Sequence, residues 1–290
     1  MKRFILRKLI GEKPIPVTVR QSPQEAQTAP HSHDFMEIVM VRSGYGLQSI
    51  HSPREHSVLS SAFLKGDVFT VLPGEIHSYQ QCHDFLIYNV CVDYGYLMAL
   101  SDELPKLALF SEFIDRRRPF RISQFHLTPM EYLGVEGSML QLIQALRLTT
   151  PSQMLAVRVS LLNLLLALFD NAGIGVKHDN ALLDERLFAS IAKMEEHSEL
   201  NFNVKNAARS AAMSVSSYAH KFKAAVGVSP SQYHLALRLE HVKHQLLTTQ
   251  SALNDIAREN GFFDSNHLVR LFRKRYGTTP GHFRHLHMVR

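Results

Sequence analysis

Residues 207–230 read AARSAAMSVSSYAHKFKAAVGVSP, and residues 257–280 read ARENGFFDSNHLVRLFRKRYGTTP. Set side by side at a shift of 50 positions, Ala207 falls on Ala257, Ser214 on Asp264, Phe222 on Phe272, Gly227 on Gly277 and Pro230 on Pro280. Met213 and Phe263, Tyr218 and Leu268, Ser229 and Thr279, and Tyr233 and Phe283 match by type. Two copies of one structural unit are the direct reading.

Each copy reads as two helices around a turn. Val204, Ala207, Ala208 and Ala211 recur at the spacing of one helix face, and Leu253, Ile256 and Ala257 do so in the second copy. Ser214 and Asp264 can cap a second helix by accepting from its free N–H groups. Gly227 and Gly277 suit the left-handed closing position, with Gly261 at the turn. Between the copies, Ser229-Pro230 reads as a cap followed by proline at the first helical position. Leu235, Leu239, Val242 and Leu246 then form one stripe on a connecting helix. At 1.5 Å per residue that helix spans roughly 27 Å, close to the ~34 Å between successive major-groove faces of B-DNA.

On the second helix of the later copy, Leu268, Leu271 and Phe272 share the inner side, while Asn266, His267, Arg270 and Lys274 face out. Asn pairs bidentately with adenine and Arg with guanine. In the earlier copy the outward positions are Ser216, Ser217, His220 and Ala224. Charge supports the same conclusion: residues 184–290 hold 15 Lys+Arg against 9 Asp+Glu, whereas residues 1–183 hold 17 of each. The basic excess therefore lies where a polyanion would be met.

The whole run from Asn203 to Arg284 resembles the DNA-binding domain of AraC-family regulators. The most diagnostic stretch is Asp255-Ile256-Ala257 through Gly261-Phe262, Asp264-Ser265, Phe272 and Gly277-Thr278-Thr279-Pro280. The resemblance implies base contacts by Ser216, Ala219 and His220 in the first unit and by Asn266, His267 and Arg270 in the second.

The first half reads differently. Glu37–Val41, Asp67–Leu72 and Phe85–Val92 are rich in β-branched and aromatic residues, and the turn signals Ser43-Gly44-Tyr45-Gly46 and Pro73-Gly74 lie between them. Short strands at this density predict a sandwich or barrel. His31, His33 and Glu37 are spaced so that their side chains leave one face of a strand, and His77 follows a Pro-Gly turn. Three imidazoles and a carboxylate suit Fe, Mn, Ni or Zn. The pattern resembles the cupin double motif, with Gly44 in its expected place.

Three readings of this cluster stay open at this point. One is a metal site at His31, His33, Glu37 and His77, as in a metal-dependent sugar isomerase or dioxygenase carrying a DNA-binding appendage. The second is a sensing barrel in which these residues and Tyr79 hydrogen-bond a hydroxylated effector, with no metal cofactor and no catalysis. The third is a surface histidine cluster at the barrel mouth. Ser78-Tyr79, the segment from Phe85 to Tyr94 and the ending Arg284-His285-Leu286 resemble the rhamnose-operon activators within the family, which implies a sugar such as rhamnose as effector.

Ser138–Leu148 and Gln153–Phe169 predict two helices, in which Leu140, Ile143, Leu155, Leu162 and Leu166 exceed what one covering face needs. A homodimer interface and plain core both fit this excess. Arg116-Arg117-Arg118 reads as a solvated loop.

Cys82 and Cys91 form no CxxC pair, as expected of a reducing cytosol. MKRFILRKLIGEKP lacks a signal-peptide core, and no apolar run approaches the ~20 residues of a membrane span. The expected fold is α+β: a cupin-like β-barrel with a helical pair over residues 1–170, a linker over 171–183, and an all-α domain of two helix-turn-helix units joined by a long helix over 184–290. The expected partners are promoter DNA, a small effector, RNA polymerase and a second copy of the chain, in the cytoplasm and away from membranes.

Overall fold

The computed structural model describes residues 2–11, 14–23, 27–52, 57–107, 109–114, 123–170, 184–196 and 202–287. The expected linker at 171–183 and the Arg116-Arg117-Arg118 loop lie outside them. By its contacts the chain divides into two compact units, Met1–Phe188 with Ala224–Gly227, and Ala189–Lys223 with Val228–Arg290.

The first unit is mixed α+β. In chain order it contains β1 (Lys2–Phe4), α1 (Leu6–Ile10), β2 (Val17–Pro23), β3 (His31–His33), β4 (Met36–His51), β5 (Val58–Leu64), β6 (Asp67–Val71) and β7 (Ile76–Val92). There follow α2 (Tyr94–Met98), α3 (Phe110–Ile114), β8 (Ser123–His126), α4 (Pro129–Arg147) and α5 (Gln153–Phe169). One eight-stranded sheet runs β1-β3-β7-β4-β6-β8, with β2 also paired to β7 and β5 to β4. β4 and β7 are its frame, antiparallel from Met36↔Val92 to His51↔Ile76.

The Ser43–Gly46 segment does not end its strand. β4 runs through it by shifting register between Val41 and Leu47, and Gly44 sits at φ 79 beside Asp84, which with Gln81 is also at positive φ. A Cβ on Gly44 would stand 2.1 Å from the carbonyl oxygen of His83, so this close approach requires glycine. β7 likewise starts nine residues before Phe85, at Ile76, which places His77 and Tyr79 on a strand.

Alternation along these strands builds two cores. Met36, Ile38, Met40, Tyr88, Val90 and Val92 face a cluster completed by Tyr132, Met139 and Leu142 of α4 and Val157, Leu161, Leu164 and Leu168 of α5. Val39, Val41 and Ile87 face the other way, into a cluster with Phe63, Phe69, Tyr79 and Phe85. α4 begins at Pro129, well before the expected Ser138. Thr128 is its cap, and Glu131 accepts the Thr128 N–H at 2.7 Å, a capping box the sequence contains.

The second unit is helical: α6 (Glu185–Glu196, most of it here), α7 (Val204–Ser210), α8 (Val215–Val226), α9 (Pro230–Thr248), α10 (Leu253–Glu259), α11 (Ser265–Tyr276) and α12 (Pro280–His287). α7–α8 and α10–α11 are the two repeats, and α9 connects them. Leu239, Val242 and Leu246 of α9 are buried against Ile256, Ala257, Leu268 and Phe272.

The repeat is real, but its register changes partway. Met213 N–H bonds to Ala208 and Phe262 N–H to Ala257, and the positive-φ turn residues are Ala212 and Gly261. Ala208, not Ala207, is thus the counterpart of Ala257, and Met213 pairs with Phe262. From the caps Ser214 and Asp264 onward the shift of 50 holds. Phe263 is the extra residue of the second copy, 91% exposed.

Candidate functional site

The candidate reading face is set by caps and core. Asp264 accepts the His267 N–H at 2.6 Å, and Gly277 closes α11 in the left-handed region at φ 74. Leu268 and Phe272 are fully buried, which turns Asn266, Arg270 and Lys274 to solvent and leaves His267 half-buried. In α8, Ser214 accepts the Ser217 N–H at 3.1 Å. Tyr218 and Phe222 are fully buried, leaving Ser216, His220 and Ala224 exposed and Ser217 and Ala219 half-buried. By the 100° step, Lys223 and Arg273 adjoin the same faces, and both are exposed. The outward residues named from the sequence do not include them, although the same wheel contains them.

Several polar contacts fix the helices behind these faces. Arg238 of α9 donates from Nε to the Asn260 carbonyl at 2.5 Å and lies 4.1 Å over the Phe262 ring. Tyr276 donates to Glu240 at 2.7 Å, Tyr233 donates to Glu195, and Tyr218 and Ser190 share a hydrogen bond of 2.8 Å. Each ties a reading unit or its turn to a neighbouring helix.

In the first unit, His33, Glu37 and His77 come together and are all buried. This overturns the surface-cluster reading. Nε2 of His33 and Nε2 of His77 each stand 3.6 Å from Glu37 Oε2. His33 Nδ1 lies 2.6 Å from the Phe35 carbonyl; a carbonyl only accepts, so Nδ1 carries the proton and Nε2 is bare. Burial lowers the pKa of His33, against the pull of Glu37. Burial lowers that of His77 further, helped by His31 and His33. Both rings are neutral near pH 7.

His31 does not join the trio. It pairs in register with His77, its ring 4.2 Å away, but its Nδ1 bonds to the Ala29 carbonyl at 2.9 Å and it is only half-buried. Same-face spacing put it on the right side of the strand but at the rim. Tyr79 lies beside His77, ring centroids 5.7 Å apart, with its hydroxyl buried and unbonded. Burial, with Glu37 nearby, raises its pKa well above 10.

A second buried polar group escaped the sequence reading. Asp67 accepts from Leu64 N at 2.8 Å, Gln124 Nε2 at 3.0 Å and His126 Nδ1 at 2.9 Å, joining β6 to β8.

Against known proteins, residues 15–108 match the family model described as an AraC-like ligand binding domain, and residues 207–285 match a helix-turn-helix domain. The HTH-type transcriptional activator RhaR of Yersinia pseudotuberculosis serotype O:1b (strain IP 31758) is 27% identical over 278 residues, spanning 95% of this chain and 90% of that protein. The HTH-type transcriptional activator RhaS of Enterobacter sp. (strain 638) is 26% identical over 277 residues, spanning 93% and 92%. Among solved structures, the DNA-binding domain of AdpA in complex with a target DNA is 26% identical, covering 35% of this chain and 91% of its own, with a TM-score of 0.34.

An AraC-like ligand binding domain and two helix-turn-helix units on one chain define a DNA-binding transcription regulator. No described helix is long and apolar enough to cross a membrane. The chain thus joins an AraC-like ligand binding domain to a helix-turn-helix domain.

Proposed function

We propose that this regulator is an activator, as the similar RhaR and RhaS proteins are named, and that a sugar switches it, with rhamnose the first candidate from the resemblance of Ser78-Tyr79 and Arg284-His285-Leu286 to rhamnose-operon activators. Residues 1–170 sense and dimerise, 171–183 link, and 184–290 bind promoter DNA. Ser216, Ser217, Ala219 and His220 read one half of the operator, and Asn266, His267, Arg270 and Lys274 the other. The observation that carries the DNA reading is the capped helix α11, with an apolar inner side and an Asn/Arg/Lys outer side.

In the barrel, the effector meets His31 at the rim, backed by His33, Glu37, His77 and Tyr79. Such polar groups make recognition steep, because losing one hydrogen-bond partner strands the other. Dimerisation is placed on the helix pair, where Leu140, Leu155, Val159 and Leu166 are exposed, Leu155 at 66%. An apolar stripe of this kind favours a second copy of the chain. The dimer recruits RNA polymerase in the cytoplasm and carries out no catalysis.

The test is a panel of sugars added to full-length protein, followed by melting temperature and operator affinity. A ligand bound only by the folded state raises melting by mass action. A sugar that raises both melting and operator affinity supports the reading; a panel without effect on either defeats the sugar-switch reading.

A further inference from the structure

Phe262 and Phe263 are neighbours with opposite fates. Phe262 is 5% exposed, under the guanidinium of Arg238 and packed with Leu268 and Phe272. Phe263 is 91% exposed, more than any other large apolar side chain among the described residues. It stands directly before Asp264, the cap of α11, where an apolar side chain often folds back onto the fourth residue of the helix. That residue is Leu268, buried in a cluster that Phe263 does not join. The turn supplies the reason. Met213 and Phe262 make equivalent anchoring bonds to Ala208 and Ala257, and Phe263 is inserted between anchor and cap in the second copy alone.

Single exposed apolar side chains are ordinary on protein surfaces; the place of this one is not. The start of the reading helix is the part that meets base edges in a helix-turn-helix unit. The first copy also exposes an apolar side chain there, Val215 at 41%, the first residue of α8. Asn266, Arg270, Arg273 and Lys274 are exposed on α11, which has no acidic residue. Such surroundings suit a polyanion rather than an apolar protein patch. In the major groove, the apolar group of a base edge is the C5 methyl of a pyrimidine.

We propose that Phe263 packs on a pyrimidine C5 methyl, that of thymine or of 5-methylcytosine, and sets the preference at one base pair beside those met by Asn266 and Arg270. This contact rests on the reading of α11 as a base reader. The ring supplies dispersion contacts and excludes water from the methyl, with no hydrogen bond involved.

The experiment uses full-length protein and the duplex that it prefers in a randomised-site selection. Each thymine of the motif is replaced singly by deoxyuridine, which removes only the methyl. Each cytosine is replaced singly by 5-methyldeoxycytidine, which adds one. Affinity is measured by fluorescence anisotropy for wild type, Phe263→Ala, Phe263→Leu and Arg270→Ala. If thymine is the partner, deoxyuridine at one position should weaken wild-type binding about 4-fold, the worth of one buried methyl. If 5-methylcytosine is the partner, methylation at one position should strengthen it by the same factor. Phe263→Ala should lose the response, and Phe263→Leu should keep part of it.

A wild type indifferent to both modifications overturns the proposal, as does a methyl response that Phe263→Ala retains in full. Methyl indifference in wild type together with lost transcription in Phe263→Ala assigns the ring to RNA polymerase and overturns it too. Arg270→Ala separates the two claims. An unchanged motif and affinity in that variant defeat the α11 reading itself, whereas a relaxed motif with no methyl response in wild type defeats Phe263 alone.

Discussion

Replacing Arg270 by alanine removes a side chain proposed to fix one base pair. Arg270 lies about 40° around the axis of α11 from Asn266 by the 100° step, on the side opposite buried Leu268 and Phe272. It is exposed, so truncation should alter folding stability by no more than ~0.5 kcal/mol. Its guanidinium offers a bidentate pair to guanine worth about 1–3 kcal/mol, a loss of roughly 5- to 150-fold in Kd. Arg273 and Lys274 remain on the exposed surface beside it, so most of the sequence-independent attraction survives and the log–log salt slope changes by at most ~0.9. The assay is fluorescence anisotropy at fixed salt on the preferred site and on its single-base variants, with a randomised-site selection for each protein. Ala224→Ser, at the equivalent position to Lys274 on α8, should change affinity much less. An Arg270→Ala protein that selects the same motif as wild type with unchanged affinity refutes the assignment of α11 as a base reader.

Two further perturbations test other parts of the account. Asp67→Ala strands buried donors on Leu64, Gln124 and His126 and should destabilise the first unit by at least about 1–3 kcal/mol; denaturant unfolding that moves by less than ~1 kcal/mol contradicts the network's role. Phe263, exposed and next to the cap of α11, is placed for an apolar contact such as a thymine methyl. Phe263→Ser should weaken operator binding and leave melting unchanged, and unaltered operator affinity speaks against that contact.

Most of the second unit was legible because its signals are local. Ser214, Ser229 and Asp264 cap helices, and Gly227 and Gly277 close them, through contacts within a few residues. The slip of one residue in the first helices arose because Ala207 and Ala257 are identical in type, while burial, which distinguishes Ala208, is not written in a pair of alanines. In the first unit, even spacing grouped His33 with Glu37, and the structure sets both beside His77. Parity could not tell that three-residue β3 leaves His31 at the rim and His33 inside. The Ser43–Gly46 bulge looked like a turn because glycines serve both, and only the pairing of β4 with β7 separates the cases. Asp67 and His126 are 59 residues apart; no local pattern announces such a pair.

Two helix-turn-helix units held by α9 are proposed to read DNA together. Randomised-site selection on the full-length protein, followed by affinity against salt concentration, tests it most directly. The expected result is a bipartite motif whose halves lie about one helical turn, roughly 10 base pairs, apart. Affinity should also fall linearly on a log–log plot, by about 0.9 per phosphate neutralised. No enriched motif, or a single short block that Arg270→Ala and His220→Ala leave intact, would contradict it.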